Sequence, residues 1–164
     1  MNSDKDIVIT SAFRTPIGSF QGSLKDHKAT ELGTAVIKKC MEHSNLNGAE
    51  VDTVILGQVL QTGCGQNPAR QTAINAGINK DKTATTINQV CGSGLAAVTL
   101  GFNSLKLNDT NIVIAGGQES MTNSPHYINY RIEKNLSEEK LKDSMLIDGL
   151  IDAYDDYHMG VTAE

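Results

Sequence analysis

The stretch Thr85-Thr86-Ile87-Asn88-Gln89-Val90 runs directly into Cys91-Gly92-Ser93-Gly94-Leu95-Ala96-Ala97-Val98, and this transition decides the fold. The first half lies in a Thr-rich run that begins at residue 83, and we predict a strand within residues 83–90. The second half is small or apolar on all sides, which predicts a buried helix over residues 91–105. A strand that stops at a cysteine where a helix starts indicates an α/β unit.

Three more short apolar runs predict strands of the same sheet: Ile7-Val8-Ile9, Val54-Ile55-Leu56 and Ile112-Val113-Ile114-Ala115. They are continuous rather than alternating, as in a sheet that is covered on both faces. Helical segments lie between the runs, which gives the order β-α-β-α-β-α-β. Right-handed crossovers wind such a chain into an open α/β sheet. We expect this core to span residues 1–117.

The first two helices have clear local signals. An apolar stripe on the first one recurs at every fourth residue and predicts that its cysteine is buried: Leu32, Val36 and Cys40. The second has Asn67 as a candidate N-cap, Pro68 at the first helical position and Gly77 just past its end.

Residues 118–164 have a different composition, without a β-branched run. Ser137-Glu138-Glu139 predicts a helix start, with acids in the first turn, that leads into Leu141, Met145 and Ile147. We expect this stretch to be the beginning of a loop subdomain.

Composition narrows the class of protein. Of 164 residues, 39% are hydrophobic and 20% charged, and no apolar run is long enough to span a bilayer. The net charge of −5 comes from scattered acids, so neither a nucleic-acid partner nor an anionic membrane is expected. The polar N-terminus leads straight into Ile7 without the pattern of a signal peptide, which predicts a cytoplasmic protein. Small-molecule chemistry is the expected activity.

The three cysteines, Cys40, Cys64 and Cys91, form neither a CxxC pair nor a set at zinc-ligand spacing, so we expect reduced thiols and no metal site. Gly63-Cys64-Gly65 predicts a turn rather than a phosphate loop, and Cys64 an incidental residue. The remaining polar candidates are expected to be structural. We predict solvated side chains for His27, His43 and His126. For Arg70 we predict a helix-end or subunit-interface salt bridge, with binding of substrate phosphate as the alternative.

Cys91 is the candidate that carries chemistry. Ligands of open α/β sheets bind at the carboxyl ends of the strands, where this cysteine stands. A helix N-terminus favours a thiolate, and the backbone amides of the glycine-rich turn can donate to an oxyanion. A buried cysteine that acts as a small hydrophobe is the alternative, and spacing alone leaves both open.

Several segments, in the same order along the chain, resemble motifs of the thiolase family. The turn Asn88-Gln89-Val90-Cys91-Gly92-Ser93-Gly94-Leu95 is similar to the family's signature around its acylated cysteine. The other similar segments are Arg14-Thr15-Pro16-Ile17-Gly18, Gly65-Gln66-Asn67-Pro68-Ala69-Arg70, Ala115-Gly116-Gly117-Gln118-Glu119-Ser120-Met121, Asp148-Gly149-Leu150 and Tyr157-His158-Met159-Gly160.

The resemblance implies site residues. It makes Cys91 the nucleophile that accepts an acyl group and its backbone N–H a donor of an oxyanion hole. Leu150, His158 and Met159 match positions that line the acyl and pantetheine part of the coenzyme A tunnel. For His158, a surface or interface histidine is the alternative.

The resemblance also implies a reaction. Tyr157-His158-Met159-Gly160 is more similar to the short-chain acetoacetyl-CoA thiolases than to the long-chain 3-ketoacyl-CoA thiolases of β-oxidation, which are the alternative. Two acetyl-CoA then give acetoacetyl-CoA and coenzyme A, or the reverse. Coenzyme A thioesters are the substrates, no cofactor is required, and the full-length protein is a homodimer or homotetramer.

Thiolases are more than twice as long as this chain. The resemblance places an activating histidine and a second cysteine beyond Glu164, so we expect these 164 residues alone to be inactive. An alternative of another class is a catalytically incomplete piece that acts only as a folded or partner-binding domain.

Overall fold

The structure, a computed structural model, describes residues 6–132 and 134–164. Its central sheet has three parallel strands, β1 (Thr53–Gly57), β2 (Thr83–Ile87) and β3 (Val113–Gly117), in the order β2-β1-β3. Thr53 of β1 pairs with Thr83 on one side and Val113 on the other. All of β1 is buried, as expected for the middle strand of a covered parallel sheet. The predicted α/β class is confirmed.

Three helices cover the sheet: α1 (Ala29–His43), α2 (Pro68–Ala76) and α3 (Ser93–Lys106). The first two pack against each other, and α2 contacts β1 and β2, whereas α3 lies on β1 and β3. Alternate side chains of β1 point to opposite faces, so Val54 and Leu56 belong to the core cluster while Gly57 faces α3. The other buried members of that cluster are Ile37, Met41, Val51, Ala69, Ala73, Ala76 and Ile78.

The predicted ends of α2 are confirmed. The Asn67 side chain accepts a hydrogen bond from the N–H of Arg70, Pro68 is the first helical residue, and Gly77 ends the helix in the left-handed region, with φ +96°. A salt bridge of Arg70 at a subunit interface stays a prediction, but the helix-end salt bridge predicted for Arg70 is wrong within the part of the chain that the structure describes. Its guanidinium donates instead to the carbonyls of Lys80 and Lys82, because the loop after α2 brings those carbonyls to it.

The predicted strand Ile7-Val8-Ile9 is wrong. These residues adopt no regular structure, and Val8 and Ile9 are 70% and 81% exposed. A run of apolar residues becomes a strand only when a neighbouring strand satisfies its backbone groups, and no described strand lies beside this one.

The predicted burial of α3 all round is also wrong. Its buried residues are the small ones, Ser93, Ala97 and Gly101, whereas Leu95 is 74% exposed, and Val98 and Phe102 are exposed too. The small face lets the helix approach β3 closely, since a β-carbon on Gly101 would lie 3.0 Å from Cγ1 of Val113. Size, rather than hydrophobicity, selected the face against the sheet.

The stripe of α1 is shifted by one position. The buried stripe is Ala29, Gly33, Ile37 and Met41, with Thr30 buried beside it, and Cys40 is half-buried rather than buried. All three predicted solvated histidines are exposed, although His27 lies 3.7 Å from a Glu31 carboxylate oxygen and His126 3.7 Å from one of Asp143.

Residues 118–164 add no strand to the sheet in their described part. Two short strands, β4 (His126–Tyr127) and β5 (Lys142–Asp143), pair antiparallel, and α4 (Met159–Thr162) comes last. The predicted helix from Ser137 is wrong, because a single turn, Glu138–Lys140, leads into β5, whose pairing with β4 ends it. A separate domain from residue 118 stays a prediction. No helix in the described ranges is long and apolar enough to cross a bilayer.

Candidate active site

Cys91 stands in a tight turn between β2 and α3. The strand ends at Ile87 and the helix begins at Ser93, so the cysteine precedes the helix at the carboxyl edge of the sheet. Two backbone hydrogen bonds close the turn, from Gly92 N–H to the Gln89 carbonyl at 3.0 Å and from Ser93 N–H to the Val90 carbonyl at 3.1 Å. The thiol is free and exposed, which excludes the alternative of a buried core cysteine.

Val90, the residue before Cys91, has a strained backbone. Its φ is +49°, in the left-handed region that β-branched residues avoid at a cost of about 1–2 kcal/mol. The Asn88 side-chain oxygen accepts the N–H of Val90 at 2.8 Å, which helps to hold this conformation. Strained residues that persist are held by their surroundings and cluster at functional sites.

Glycines bring α3 against the edge of the sheet. A β-carbon on Gly57, the last residue of β1, would lie 2.5 Å from the Cβ of Ser93 and 2.7 Å from the nitrogen of Gly94. Gly117, the last residue of β3, is also close, because its β-carbon would lie 3.4 Å from the Cα of Gly94. At the end of β1 only glycine permits this contact, which fixes where the helix N-terminus and the preceding Cys91 lie.

A buried polar chain lies beside this edge, and sequence reasoning missed it. The Gln118 amide donates to Oε1 of Gln58 at 2.8 Å, and its own oxygen accepts the hydroxyl of Thr72 at 2.7 Å. The side-chain amide of Gln58 in turn donates to the Leu60 carbonyl at 2.9 Å. A signal was available, because Gln58 and Gln118 lie two and three residues past the predicted strands Val54-Ile55-Leu56 and Ile112-Val113-Ile114-Ala115, at the strand ends where parallel sheets place functional groups.

Glu119 holds the loop that follows β1. Its carboxylate accepts the N–H of Val59 at 2.8 Å and that of Leu60 at 3.1 Å. Burial raises the pKa of Glu119, and the two backbone donors oppose the rise without cancelling it. The arrangement anchors residues 59 and 60 to the end of β3.

The same loop contacts the segment with Leu150. The Thr62 hydroxyl donates to the Asp148 carboxylate at 2.8 Å, and a β-carbon on Gly149 would lie 3.2 Å from Cδ2 of Leu60. At the other end of this loop, the side-chain amide of Asn88 donates to the Val59 carbonyl at 3.5 Å. Residues 59–62 therefore connect the cysteine turn with the segment that ends at Leu150.

The structure brings Leu150 and His158 near each other. Leu150 is half-buried at the end of the helical turn Leu146–Leu150, and the next residue, Ile151, forms an antiparallel bridge with His158. His158 is the N-cap of α4, and its Nδ1 accepts the N–H of Gly160 at 3.0 Å. In the neutral ring this leaves Nε2 as the donor. Met159 follows as the first residue of α4, 38% exposed.

No hydrogen bond or ion pair joins Cys91 to Leu150, His158 or Met159 in the described part of the chain, so their common role stays a prediction. The described residues also contain no group of three or more His, Cys, Asp and Glu side chains placed to hold a metal ion.

Comparison with known proteins gives the family. The model of the family described as "Thiolase, N-terminal domain" matches residues 7–164. An acetyl-CoA acetyltransferase of Pseudomonas aeruginosa is 51% identical over 161 residues, which are 98% of this chain and 41% of that protein. One of Rhizobium meliloti is 49% identical over 162 residues, again 41% of its length.

Solved structures agree. The chain superimposes on the Acat5 thiolase from Ascaris suum in complex with coenzyme A with a TM-score of 0.91 and 39% identity, covering 97% of this chain and 41% of that one. It thus spans about two-fifths of the length of the relatives it matches. On the strength of the family match over residues 7–164 and the shared fold, this chain belongs to the thiolase family.

Proposed function

We propose that the protein to which this chain belongs is an acetyl-CoA C-acetyltransferase that condenses two acetyl-CoA to acetoacetyl-CoA and coenzyme A, or catalyses the reverse thiolysis. The observation that carries the proposal is the exposed thiol of Cys91 in a strained turn at the N-terminus of α3. The names of relatives support the reaction, since those of Pseudomonas aeruginosa and Rhizobium meliloti, at about half identity, are named acetyl-CoA acetyltransferases.

The cysteine acts as a covalent carrier of the acetyl group. Its thiolate attacks the thioester carbonyl of the first acetyl-CoA, and the resulting oxyanion collapses with loss of the coenzyme A thiolate, which leaves acetyl-Cys91. The second acetyl-CoA loses an α-proton, and its carbanion attacks the acetyl carbonyl. Acetoacetyl-CoA forms and the Cys91 thiolate is released.

The turn around Cys91 suits this chemistry. The helix dipole favours an anion at the N-terminus of α3, and backbone N–H groups there are available to an oxyanion. We assign the Cys91 N–H as one such donor, as the resemblance implies. The groups that move protons are assigned, also by resemblance, to segments beyond Glu164.

Leu150, His158 and Met159 are proposed to contact the thioester and pantetheine end of the substrate. The bridge between Ile151 and His158 supports this, because it brings Leu150 close to His158 and Met159. The histidine also caps α4, so a substitution must separate the two roles. Asparagine is a good N-cap and keeps that function.

His158→Asn in the full-length enzyme tests the substrate role. We expect kcat/KM for acetoacetyl-CoA to fall by about 10-fold or more, as for other lost polar contacts to a reacting group. If kcat/KM is unchanged in His158→Asn but falls in His158→Ala, the only role of His158 is to cap the helix.

The proposal includes a cytoplasmic homodimer or homotetramer that needs no cofactor besides its coenzyme A substrates. All three thiols are unpaired, which fits a reducing compartment.

The decisive test of the activity is turnover of the full-length Cys91→Ala enzyme with acetoacetyl-CoA and coenzyme A. We expect a loss of at least about 10³-fold, because the covalent route is removed. Cys40→Ala, which removes a half-buried thiol on α1, is the control and should retain activity. A Cys91→Ala enzyme with the control's turnover would disprove the mechanism.

A further inference from the structure

Ser93 makes an unusual set of contacts for the first residue of a helix. Its hydroxyl donates to the Val90 carbonyl at 2.6 Å and accepts the N–H of Gln89 at 2.8 Å. The side chain is buried, with only 4% of the residue exposed. A bond from a helical serine to the carbonyl three residues earlier is common, but the second contact, to Gln89, ties the hydroxyl to the strand side of the turn.

These two contacts bracket the strained residue. The Gln89 N–H belongs to the Asn88–Gln89 peptide, one residue before Val90, and the Val90 carbonyl belongs to the Val90–Cys91 peptide. Such a residue keeps φ at +49° only when neighbouring groups hold both of its peptides. The Ser93 hydroxyl and the Asn88 side chain are the described side chains that do so.

The bond from the Ser93 hydroxyl to the Val90 carbonyl sets the orientation of Cys91 directly. A peptide group is planar, so the Val90 carbonyl and the Cys91 N–H belong to one rigid unit and point in opposite directions. A hydroxyl that fixes the carbonyl therefore fixes the direction of the Cys91 N–H and the position of the Cys91 Cα. Ser93 itself cannot shift easily, because it lies against Gly57 at the end of β1.

We propose that Ser93 is a positioning residue for the acyl transfer: its hydroxyl clamps the Val90–Cys91 peptide so that the thiol and the Cys91 N–H both face the thioester carbonyl. The inference rests on the proposed function, since it presupposes that Cys91 is acylated. It assigns to Ser93 no contact with substrate.

Ser93→Ala in the full-length enzyme removes both contacts of the hydroxyl and leaves the Val90 carbonyl with its longer bond from the Ser93 N–H. We expect kcat to fall by about 10–100-fold, because displacement of a reacting group by about 1 Å can cost about 100-fold, while KM stays within about twofold. Thr99→Ala is the matched control. Thr99 lies on the exposed face of the same helix and its hydroxyl bonds only the Leu95 carbonyl, so its loss should leave kcat unchanged.

A second variant separates positioning from folding. Asparagine adopts positive φ more readily than valine, so Val90→Asn in the Ser93→Ala background should recover part of the lost kcat. All variants are compared as fully folded protein, well below their urea midpoints, where a role in fold stability alone predicts an unchanged kcat. If Ser93→Ala does not fold, Ser93→Cys, which keeps the shape but hydrogen-bonds weakly, decides the matter, and we expect its kcat to be reduced at unchanged KM.

The rate at which acetyl-Cys91 forms in a single turnover distinguishes the two proposals. If the wild-type enzyme forms no acetyl-Cys91, the proposed function fails. If it does, and folded Ser93→Ala or Ser93→Cys forms it at the wild-type rate, the positioning role of Ser93 is overturned and the proposed function stands. A slower rate in the variants, with recovery in Val90→Asn/Ser93→Ala, supports the inference.

Discussion

Gly57 and Ser93 are in contact so close that a β-carbon on Gly57 would lie 2.5 Å from that of Ser93. The contact joins the end of the buried middle strand to the first residue of the helix that follows Cys91. It sets the distance between the sheet and the cysteine turn.

Gly57→Ala should therefore damage both stability and activity. The methyl group cannot fit without moving α3, and overpacking of this kind costs typically about 1–3 kcal/mol. We expect a lower urea midpoint and a kcat reduced by about 10-fold or more, because the shift of α3 displaces Cys91.

Gly116→Ala is the control for Gly57→Ala. Gly116 lies beside Leu56 in the register of β1 and β3, and a β-carbon there would meet nothing within 4 Å. The urea midpoint and kcat of Gly116→Ala should stay near the wild-type values. Equal effects of the two substitutions would show that strand glycines matter here for backbone reasons rather than for the approach of α3.

Glu119 predicts a dependence of stability on pH. Burial raises its pKa in the folded state above the ordinary value of 4.5, so between these two values the folded protein binds more protons than the unfolded one. The stabilisation that the folded protein gains from this protonation is therefore fully present at low pH. It is lost as pH rises through 4.5 towards the raised pKa.

Glu119→Gln removes this titration. The free energy of unfolding is measured by urea denaturation between about pH 4 and pH 7, and that of the variant should increase relative to that of the wild type as pH rises. Glu138→Gln, at an exposed glutamate, is the matched control and should follow the wild type. A wild type that gains stability relative to Glu119→Gln over the same range would contradict the predicted direction.

The 164 residues made alone should show no appreciable thiolysis of acetoacetyl-CoA. A missing general acid or base lowers rates by about 10²–10⁴-fold, and the resemblance places such groups outside this chain. The exposed apolar side chains of α3, Leu95, Val98 and Phe102, should also make the isolated piece self-associate. An assay and gel filtration test both, and wild-type turnover from this piece would show that the groups beyond Glu164 are dispensable.

The features of the fold that depend on residues close together in the sequence were predicted correctly. Asn67, Pro68 and Gly77 define α2 through hydrogen bonds and backbone angles that involve only nearby residues, and both helix ends were correct. The transition at Cys91 was found for the same reason, since the strand, the turn and the helix are adjacent in the chain.

The errors concern partners that are distant in sequence. Hydrophobicity marks Ile7-Val8-Ile9 as strand-like, but strand formation depends on an edge to pair with. For α3, both an apolar stripe and a stripe of small residues could face the sheet. The close approaches of Ser93 to Gly57 and of Gly101 to Val113 require the small one. Gln58 and Gln118 meet only because their strands are neighbours.

The most direct test of the account is to find where the acetyl group goes. The full-length enzyme is incubated with acetyl-CoA alone, quenched in acid and digested, and the peptides that contain Cys40, Cys64 and Cys91 are compared by mass spectrometry. Acetyl on the Cys91 peptide, removed by added coenzyme A, is the predicted result. Acetyl on Cys40 or Cys64 with Cys91 unmodified, or turnover without any acetylated cysteine, would contradict it.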